Sequence, residues 1–436
     1  LGSPLHEHPG VFARPGIFPA RPSREEERKT DVECDLEMLP VPDYTDYFAQ
    51  VKKEMPDITV KIPIESSRGC WWGQKCQCSF CGLNGLSIRY RTKSAERVLS
   101  EIRRQFEHYG ATEFIAVDNI LNPLFFKTFL PGLRQLYERY GITFFYEIKS
   151  NLTDSEIQSL NQSGVKEVQA GIENLNDHVL KLMKKGTSGL ENVRFLRDCA
   201  SHGLQVHYSL LWGTPGETRD DYISLRRLIP YIQHLPPPKH IVPVALARFS
   251  PYFSNPGKYG IRNVRPSPLY PVLFGGMTVN YDRLANIFNF DLDSDNDEGL
   301  NMERSSFIDE GQVWRETYSG LSLVYSEFEE MLIIVDIRYG ASKVFRLVSP
   351  AKDIALFCLK GQTAANIKKA FSDISEDEIG KFLRRMVEKH IVLPWDGVRP
   401  VRYLFLPVQV SMERMHRTMD ALRSGEECQE KNTVSS

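Results

Sequence analysis

Residues 70–81 read CWWGQKCQCSFC, and they hold four of the chain's eight cysteines, Cys70, Cys76, Cys78 and Cys81, beside two adjacent tryptophans. The other four, Cys34, Cys199, Cys358 and Cys428, are scattered. A secreted disulfide scaffold would spread its pairs more evenly. This distribution points instead to a reducing compartment, the cytoplasm, and to a metal site. Structural zinc usually takes two ligand pairs separated by a longer loop. Here Cys76, Cys78 and Cys81 crowd one short arc, no second pair follows, and the next histidine, His108, falls on an expected helix. A zinc knot is awkward on this spacing but stays open. The alternative is an iron–sulfur cluster held by three thiolates, which leaves one iron free to bind a small molecule.

Outward from the motif, strands and helices alternate. VKIPI (60–64) leads into the cysteines as a strand. Ser94 can cap a helix on which Leu99, Ile102, Phe106 and Tyr109 recur near helical spacing, ending at Gly110. The apolar strands EFIAVD (113–118), ITFFYEI (142–148), VKEVQAGI (165–172), LQVHYSLLWG (204–213) and HIVPVALARF (240–249) follow, separated by helices near 124–139, 154–162, 189–202 and 218–233. Apolar strands alternating with helices predict a parallel sheet covered by helices. Six such units make a partial (β/α)6 barrel, assigned to residues 36–325. Residues 280–320 break the pattern. DLDSDNDEGL (291–300) lacks the glycine and glutamate of a calcium loop in either register, and it reads as a solvated acidic loop.

MLIIVDIR (331–338) and SKVFRLV (342–348) flank Tyr339-Gly340-Ala341 as a hairpin, and helical patterns follow at 351–360, 363–371 and 376–390. This is the order of a small winged-helix-like α+β domain, assigned to 326–410. Residues 1–35, rich in proline, glycine and charge, read as a linker or extended arm, and 411–436 as a disordered tail. With 436 residues and a formal charge of -2, the chain has room for two or three domains and no global attraction to nucleic acid or membrane. No apolar run reaches ~18 residues, which argues against a transmembrane helix.

The string SRGCWWGQKCQCSFCGLNG (67–85) resembles the radical S-adenosylmethionine (SAM) enzymes that mature ribosomally made peptides, of the type usually fused to a cobalamin-binding domain. The superfamily's usual C-x3-C-x2-C spacing is enlarged here to C-x7-C-x2-C, and the resemblance covers roughly residues 36–400. It implies that Cys70, Cys78 and Cys81 hold a 4Fe-4S cluster, that Cys76 is a bystander, and that Trp71 and Trp72 shield the cluster from water. It further implies that SAM is held at the strand ends. Asp118, next to Asn119, stands where the superfamily often has Gly-Gly-Glu; a helix cap is the structural alternative. Glu147 ends the third strand, where an ion pair with Lys149 is the alternative. Gln169 and Glu173 belong to QAGIENLNDHVLKLMKKG (169–186), in which Leu180 and Met183 read as core. Gly213 lies in LLWGTPGET (210–218), whose Glu217 and Thr218 read as a helix start.

The implied chemistry is reductive cleavage of SAM to methionine and a 5′-deoxyadenosyl radical, which takes hydrogen from an unactivated carbon. The implied substrate is a precursor peptide, and the implied electron donor a flavodoxin or ferredoxin. In the fused type the product is often C-methylated, with cobalamin as a further cofactor; that domain would lie upstream of residue 1, and the Pro-rich start reads as the tail of an inter-domain linker. A precursor's leader segment is expected to add as a strand at the edge of 331–338 or 342–348 and to pack on 376–390 through Ile379, Phe382, Leu383 and Met386, of which Leu383 and Met386 also face the domain's own core. A second reading is a zinc-knot, winged-helix regulator that binds nucleic acid through Lys381, Arg384, Arg385 and Lys389. It leaves six βα units with polar strand ends unexplained.

Overall fold

Strand after strand, the chain buries one apolar row against helices and turns the other row inward. In the computed structural model, which describes residues 35–417 apart from 86, 276–278, 321, 341 and 398, five strands form a parallel sheet in sequence order. They are β1 (Lys61–Ile64), β2 (Glu113–Ala116), β3 (Thr143–Ile148), β4 (Val165–Ala170) and β5 (Gln205–His207). A parallel pair, β6 (Ser209–Trp212) and β7 (His240–Pro243), continues the arc, and a bridge between Glu173 and Leu210 joins it to the segment after β4. Sequential strands are spatial neighbours and helices supply the crossovers, as parallel pairing requires.

Two strand expectations need correction. The run 204–213 is broken at Tyr208, whose ring is buried and whose hydroxyl donates to the Pro236 carbonyl at 2.9 Å. The run 240–249 leaves the parallel sheet after Pro243; Leu246–Ala247 joins an antiparallel sheet with Ile287–Leu292 and Ile261–Pro266. The helix expected over 124–139 is two helices, Phe125–Thr128 and Leu130–Tyr140, with Pro131 in the first turn of the second, where its missing N–H costs nothing. Ser94 caps Ala95–Tyr109, and Gly110 ends that helix at φ +68°. Capping boxes start Asp154–Gln162 (Thr153, Glu156) and Gly189–Ser201 (Ser188, Glu191).

Phe144, Tyr146 and Ile148 of β3 face the helices and are buried, with Phe144 stacked on Phe114 at 5.5 Å. The opposite face is charged. Lys61 lies 3.2 Å from Glu167 and 3.6 Å from Glu113, and His207 Nε2 lies 3.0 Å from Glu167.

The region 280–320 contains an element the periodicity hid, the 20-residue helix Glu298–Thr317. It buries Leu300, Phe307 and Trp314 against the helix Arg219–Ile232. The acidic stretch before it is put to local use, since Asp297 caps this helix and Asp291 pairs with Arg265 at 3.0 Å.

The expected hairpin is present as Met331–Asp336 with Lys343–Leu347, but Leu323–Phe328 pairs with it and runs across the assigned boundary at 325/326. Met331–Asp336 is therefore an interior strand, and of the two expected edges only Lys343–Leu347 is one. Helices Ala351–Phe357, Ala364–Ala370 and Glu376–Glu388 follow, and then a second hairpin, Val392–Trp395 with Arg402–Phe405. Residues 412–417, expected in the tail, are helical, because Met415 is fully buried. The remainder of the expected tail and the expected arm over 1–34 lie outside the described residues. One apolar core runs from β1 to Met415. Arg197 stitches the two regions, donating to the carbonyls of Phe405 (2.6 Å) and Leu359 (2.8 Å). Among the described residues no helix is long and apolar enough to cross a membrane.

Candidate active site

The cysteine loop follows β1, at the end of the sheet where parallel folds build their sites. Two glycines fix its path. Gly69 has φ +88°, and a Cβ there would sit 2.2 Å from the Arg89 carbonyl oxygen. At Gly82 a Cβ would sit 2.0 Å from the carbonyl oxygen of Arg248. Cys70 caps the short helix Trp71–Lys75, and its sulfur accepts from the Gly73 N–H at 3.3 Å. Ser79 pins the loop from below, donating from its N–H to the Met183 carbonyl (3.0 Å) and from its hydroxyl to that of Leu182 (2.9 Å).

Cys70, Cys78 and Cys81 lie within electrostatic reach of one another. Burial pushes the thiols of Cys78 and Cys81 up, and the Lys185 ammonium opposes it. Cys76 opens elsewhere, onto a depression of about 480 Å³ on the outer side of Trp72. The tryptophans wall the loop from two sides. Trp71 Nε1 donates to the Leu121 carbonyl (3.0 Å) and Trp72 Nε1 to that of Lys184 (3.3 Å).

The expected SAM-binding residues meet different fates. Glu147 sits on the inward face of β3, in register with Gln169 of β4 and, beyond it, His207. Burial, then the charges of Asp118 and Glu173, hold its carboxyl above the usual range. The ion pair with Lys149 is not formed. Lys149 donates to the Lys185 carbonyl at 2.5 Å and lies 4.3 Å from the centroid of the Trp72 ring. Glu173 adopts φ +59° and accepts from Lys185 Nζ at 3.2 Å. Burial opposes the charge on Lys185, but Glu173 and the thiols of Cys78 and Cys81 outweigh it and raise its pKa. Gln169 is exposed on the same inward face.

Asp118 is 1% exposed and accepts from the Ser66 N–H (2.8 Å), the Ser67 hydroxyl (2.8 Å) and the Ser66 hydroxyl. It ties the end of β2 to the segment leaving β1. Asn119 donates to Asn84 at 2.8 Å. Gly213, at φ +75°, gives its N–H to the Glu217 carboxylate at 2.8 Å, so Glu217 fastens this turn while Thr218 starts the helix. The structure thus gathers the three thiols, Lys185, Glu173 and Glu147; Asp118 and Gly213 have local partners. Lys149 was expected beside Glu147 and instead turns to the Lys185 carbonyl; Lys185, also buried, was missed because LMKKG (182–186) reads as an ordinary helix end.

Residues 64–229 match the sequence model of the Radical SAM superfamily. Such domains use a 4Fe-4S cluster and SAM. The chain is 32% identical over 171 residues to bacteriochlorophyllide d C-12(1)-methyltransferase of Chlorobaculum tepidum, covering 37% of this chain and 35% of that protein. It is 23% identical over 178 residues to the ribosomal protein uS12 methylthiotransferase RimO of Bacteroides thetaiotaomicron, covering 38% and 40%. The matches therefore span about two-fifths or less of these relatives' lengths. Among solved structures, the radical SAM methyltransferase TsrM of Kitasatospora setae aligns with TM-score 0.44 and 15% identity over 61% of this chain and 53% of that one. The cobalamin-dependent SAM radical enzyme OxsB aligns with TM-score 0.45 and 14% identity over 90% and 58%.

The residues present fit the cluster. Three soft thiol donors lie within electrostatic reach of one another, Cys78 and Cys81 beside the buried Lys185 ammonium, which is the donor chemistry such clusters take. Among the described residues no three His, Cys, Asp or Glu side chains are gathered tightly enough for a single ion, so the zinc-knot alternative finds no support. A four-iron cluster is larger than one ion and holds its thiolates further apart.

Proposed function

We propose that this chain is a radical SAM enzyme that modifies a ribosomally made precursor peptide in the cytoplasm, by C-methylation with cobalamin as a further cofactor. The observation that carries the radical SAM part is the grouping of Cys70, Cys78 and Cys81 at the sheet end, with Glu147 and the Glu173–Lys185 pair alongside. When bound, the cluster supplies the electron that cleaves SAM. Glu147, with its raised affinity for a proton and its inward position, is suited to accept from the ammonium of the methionyl group. Lys185 offers a buried positive charge, and the two tryptophans limit water at the loop. The peptide and cobalamin parts rest on the resemblance of residues 67–85. The matched relatives include a methyltransferase and methylthiotransferases, which agrees with transfer chemistry.

The test is anaerobic incubation of cluster-loaded protein with SAM, reading 5′-deoxyadenosine and methionine. Glu147→Gln should load the cluster normally and bind SAM about 10- to 100-fold more weakly, since a charged hydrogen bond lost from a desolvated site costs roughly 1.5–3 kcal/mol. Unchanged affinity would return Glu147 to a structural role.

A groove in the C-terminal unit supports peptide recognition. It encloses about 550 Å³ between the helices Ala364–Ala370 and Glu376–Glu388 and the second hairpin, with Ile379, Leu383, Val387, Pro394 and Tyr403 in its wall. Phe382 and Met386, also expected there, are not in the wall, and Met386 is buried. Val392–Trp395 is an edge strand beside the groove, but Val392, Leu393 and Trp395 are buried and Pro394 has no N–H, so the apolar wall rather than this edge is the surface open to a leader segment. Deleting the unit would cut one continuous core. Val387→Glu is the cleaner probe: precursor binding should fall about tenfold or more while peptide-free SAM cleavage persists. Equal binding by the variant would leave the groove without this role.

A further inference from the structure

The outer face of Trp72 is a prepared surface directly above the cysteine loop. Its ring is seated on Gly186, where a Cβ would lie 2.1 Å from the ring, and Gly186 adopts φ +61°. Behind the ring, Lys149 Nζ lies 4.3 Å from its centroid. Lys149 is in turn within electrostatic reach of Cys78 and Cys70. One aromatic side chain and one lysine therefore separate the surface from the thiols.

The depression of about 480 Å³ over this ring is lined by Cys76, Lys181, Lys184 and Thr187, together with two carboxylates. Lys75, the residue before Cys76, is exposed, as are Lys181 and Lys184. Among the described residues none of the three lysines has a carboxylate partner. The two acids are already used at helix starts. Asp177 accepts from the Gly189 N–H (2.7 Å) and Trp395 Nε1 (2.8 Å). Glu191 accepts from the Ser188 N–H (2.9 Å), the Ser188 hydroxyl (3.1 Å) and the Thr187 hydroxyl (3.3 Å). What remains for a partner is a rim of exposed positive charge around a half-buried aromatic ring.

We infer that this face docks an acidic one-electron carrier protein, with Lys75, Lys181 and Lys184 steering its approach and Trp72 forming the wall across which the electron passes. The inference rests on the radical SAM reading, since it supplies that site's reductant. With a cluster held by Cys70, Cys78 and Cys81, one electron would leave the carrier, oxidised by one unit, and the cluster would be reduced by one; no bond would form or break and no proton would move. Lysines at a rim raise association rates for an acidic partner, and salt screens them. Opposite charges alone can change such rates by about 10- to 1,000-fold at low salt.

The probe is a reduced bacterial flavodoxin, an acidic FMN protein, presented to the full chain. Binding is measured by titration at low and high salt, and cluster reduction by stopped-flow absorbance. Lys75→Glu/Lys181→Glu/Lys184→Glu should bind flavodoxin at least about tenfold more weakly at low salt and lose most of the salt dependence. Its cluster should be reduced more slowly by flavodoxin but at the unaltered rate by dithionite, a small anion with no docking requirement. Lys343→Glu, on the C-terminal sheet, should behave as the unsubstituted protein. Equal flavodoxin binding by the triple variant, or an equal loss in Lys343→Glu, overturns the docking face. The binding arm decides this whether or not a cluster is loaded, so a failure of the cluster to form counts against the cysteine assignment and not against the surface.

Discussion

Cys70→Ala, Cys78→Ala and Cys81→Ala should each abolish reductive cleavage of SAM, and Cys76→Ala should keep most of it. The expected loss is to the background rate, because removing one of three thiolates removes the cluster and with it the only electron path. The geometry separates the four cysteines. Cys78 and Cys81 interact with each other and with Cys70, beside the Lys185 ammonium. Cys76 ends the helix Trp71–Lys75 and faces the depression beyond Trp72. Its N–H is bonded to the Trp72 carbonyl at 2.7 Å, which holds the chain in that turn. The measurement is 5′-deoxyadenosine formed per cluster, with iron and sulfide content on the same samples. An inactive Cys76→Ala beside an active Cys70→Ala would exchange the two assignments. Cys76→Ala also leaves the three lysines of the outer face untouched, so flavodoxin-driven reduction should survive in it.

The parts of this fold that periodicity made legible are those whose side chains obey one local rule. Ser94 caps its helix as expected, and capping boxes at Thr153–Glu156 and Ser188–Glu191 start the helices expected near 154–162 and 189–202. The strands β1 to β4 were legible because each carries buried apolar residues between helical patterns, as Ile62 and Ile64 do in β1 and Phe144, Tyr146 and Ile148 in β3. What stayed hidden depends on long-range partners. The helix Glu298–Thr317 carries a weak stripe broken by Glu303 and Gly311. Glu303 is buried because Arg219 and Arg226 reach it from the helix Arg219–Ile232. The second hairpin was obscured by Pro394 and Pro400, residues that do not announce a strand. In the site, the spacing of Cys70, Cys78 and Cys81 was visible, and so was the place of Glu147 near the end of its strand. The pairing of Glu173 with Lys185 was not, because it joins residues on either side of a helix, and the sequence has no signal that the third lysine of a surface-like KLMKK run turns inward.

Lowering the pH from 7 to 5 should destabilise the protein through His234 by about 2 kcal/mol, the second large effect expected of this chain. His234 follows the helix Arg219–Ile232 and is 5% exposed. Its Nε2 donates to the Leu406 carbonyl at 3.2 Å, and its Nδ1 has no hydrogen-bond partner among the described residues. Arg338, itself buried and paired with Asp336 at 2.9 Å, faces the same ring. Burial first, and the Arg338 charge second, hold the imidazole down to about 3 from an ordinary 6.5. The sign follows from proton uptake. Between these values the unfolded chain binds a proton that the folded chain refuses, so stability is full above about 6.5 and falls as the pH drops toward 3. Asp118 and Glu217 act in the opposite sense: burial raises their pKa values, so acidification favours the folded state through them. The bulk pH profile mixes these signs, and a substitution separates them. His234→Gln keeps an N–H for Leu406 and never takes a charge. Denaturant midpoints at pH 7 and pH 5 should differ less for His234→Gln than for the unsubstituted protein, by an amount equivalent to about 2 kcal/mol. Equal acid sensitivity in the two proteins would mean that the ring reaches water or a carboxylate when protonated. Because His234 and Arg197 hold the carbonyls of Leu406 and Phe405, the acid-weakened contact is the one that fastens the C-terminal unit to the parallel sheet.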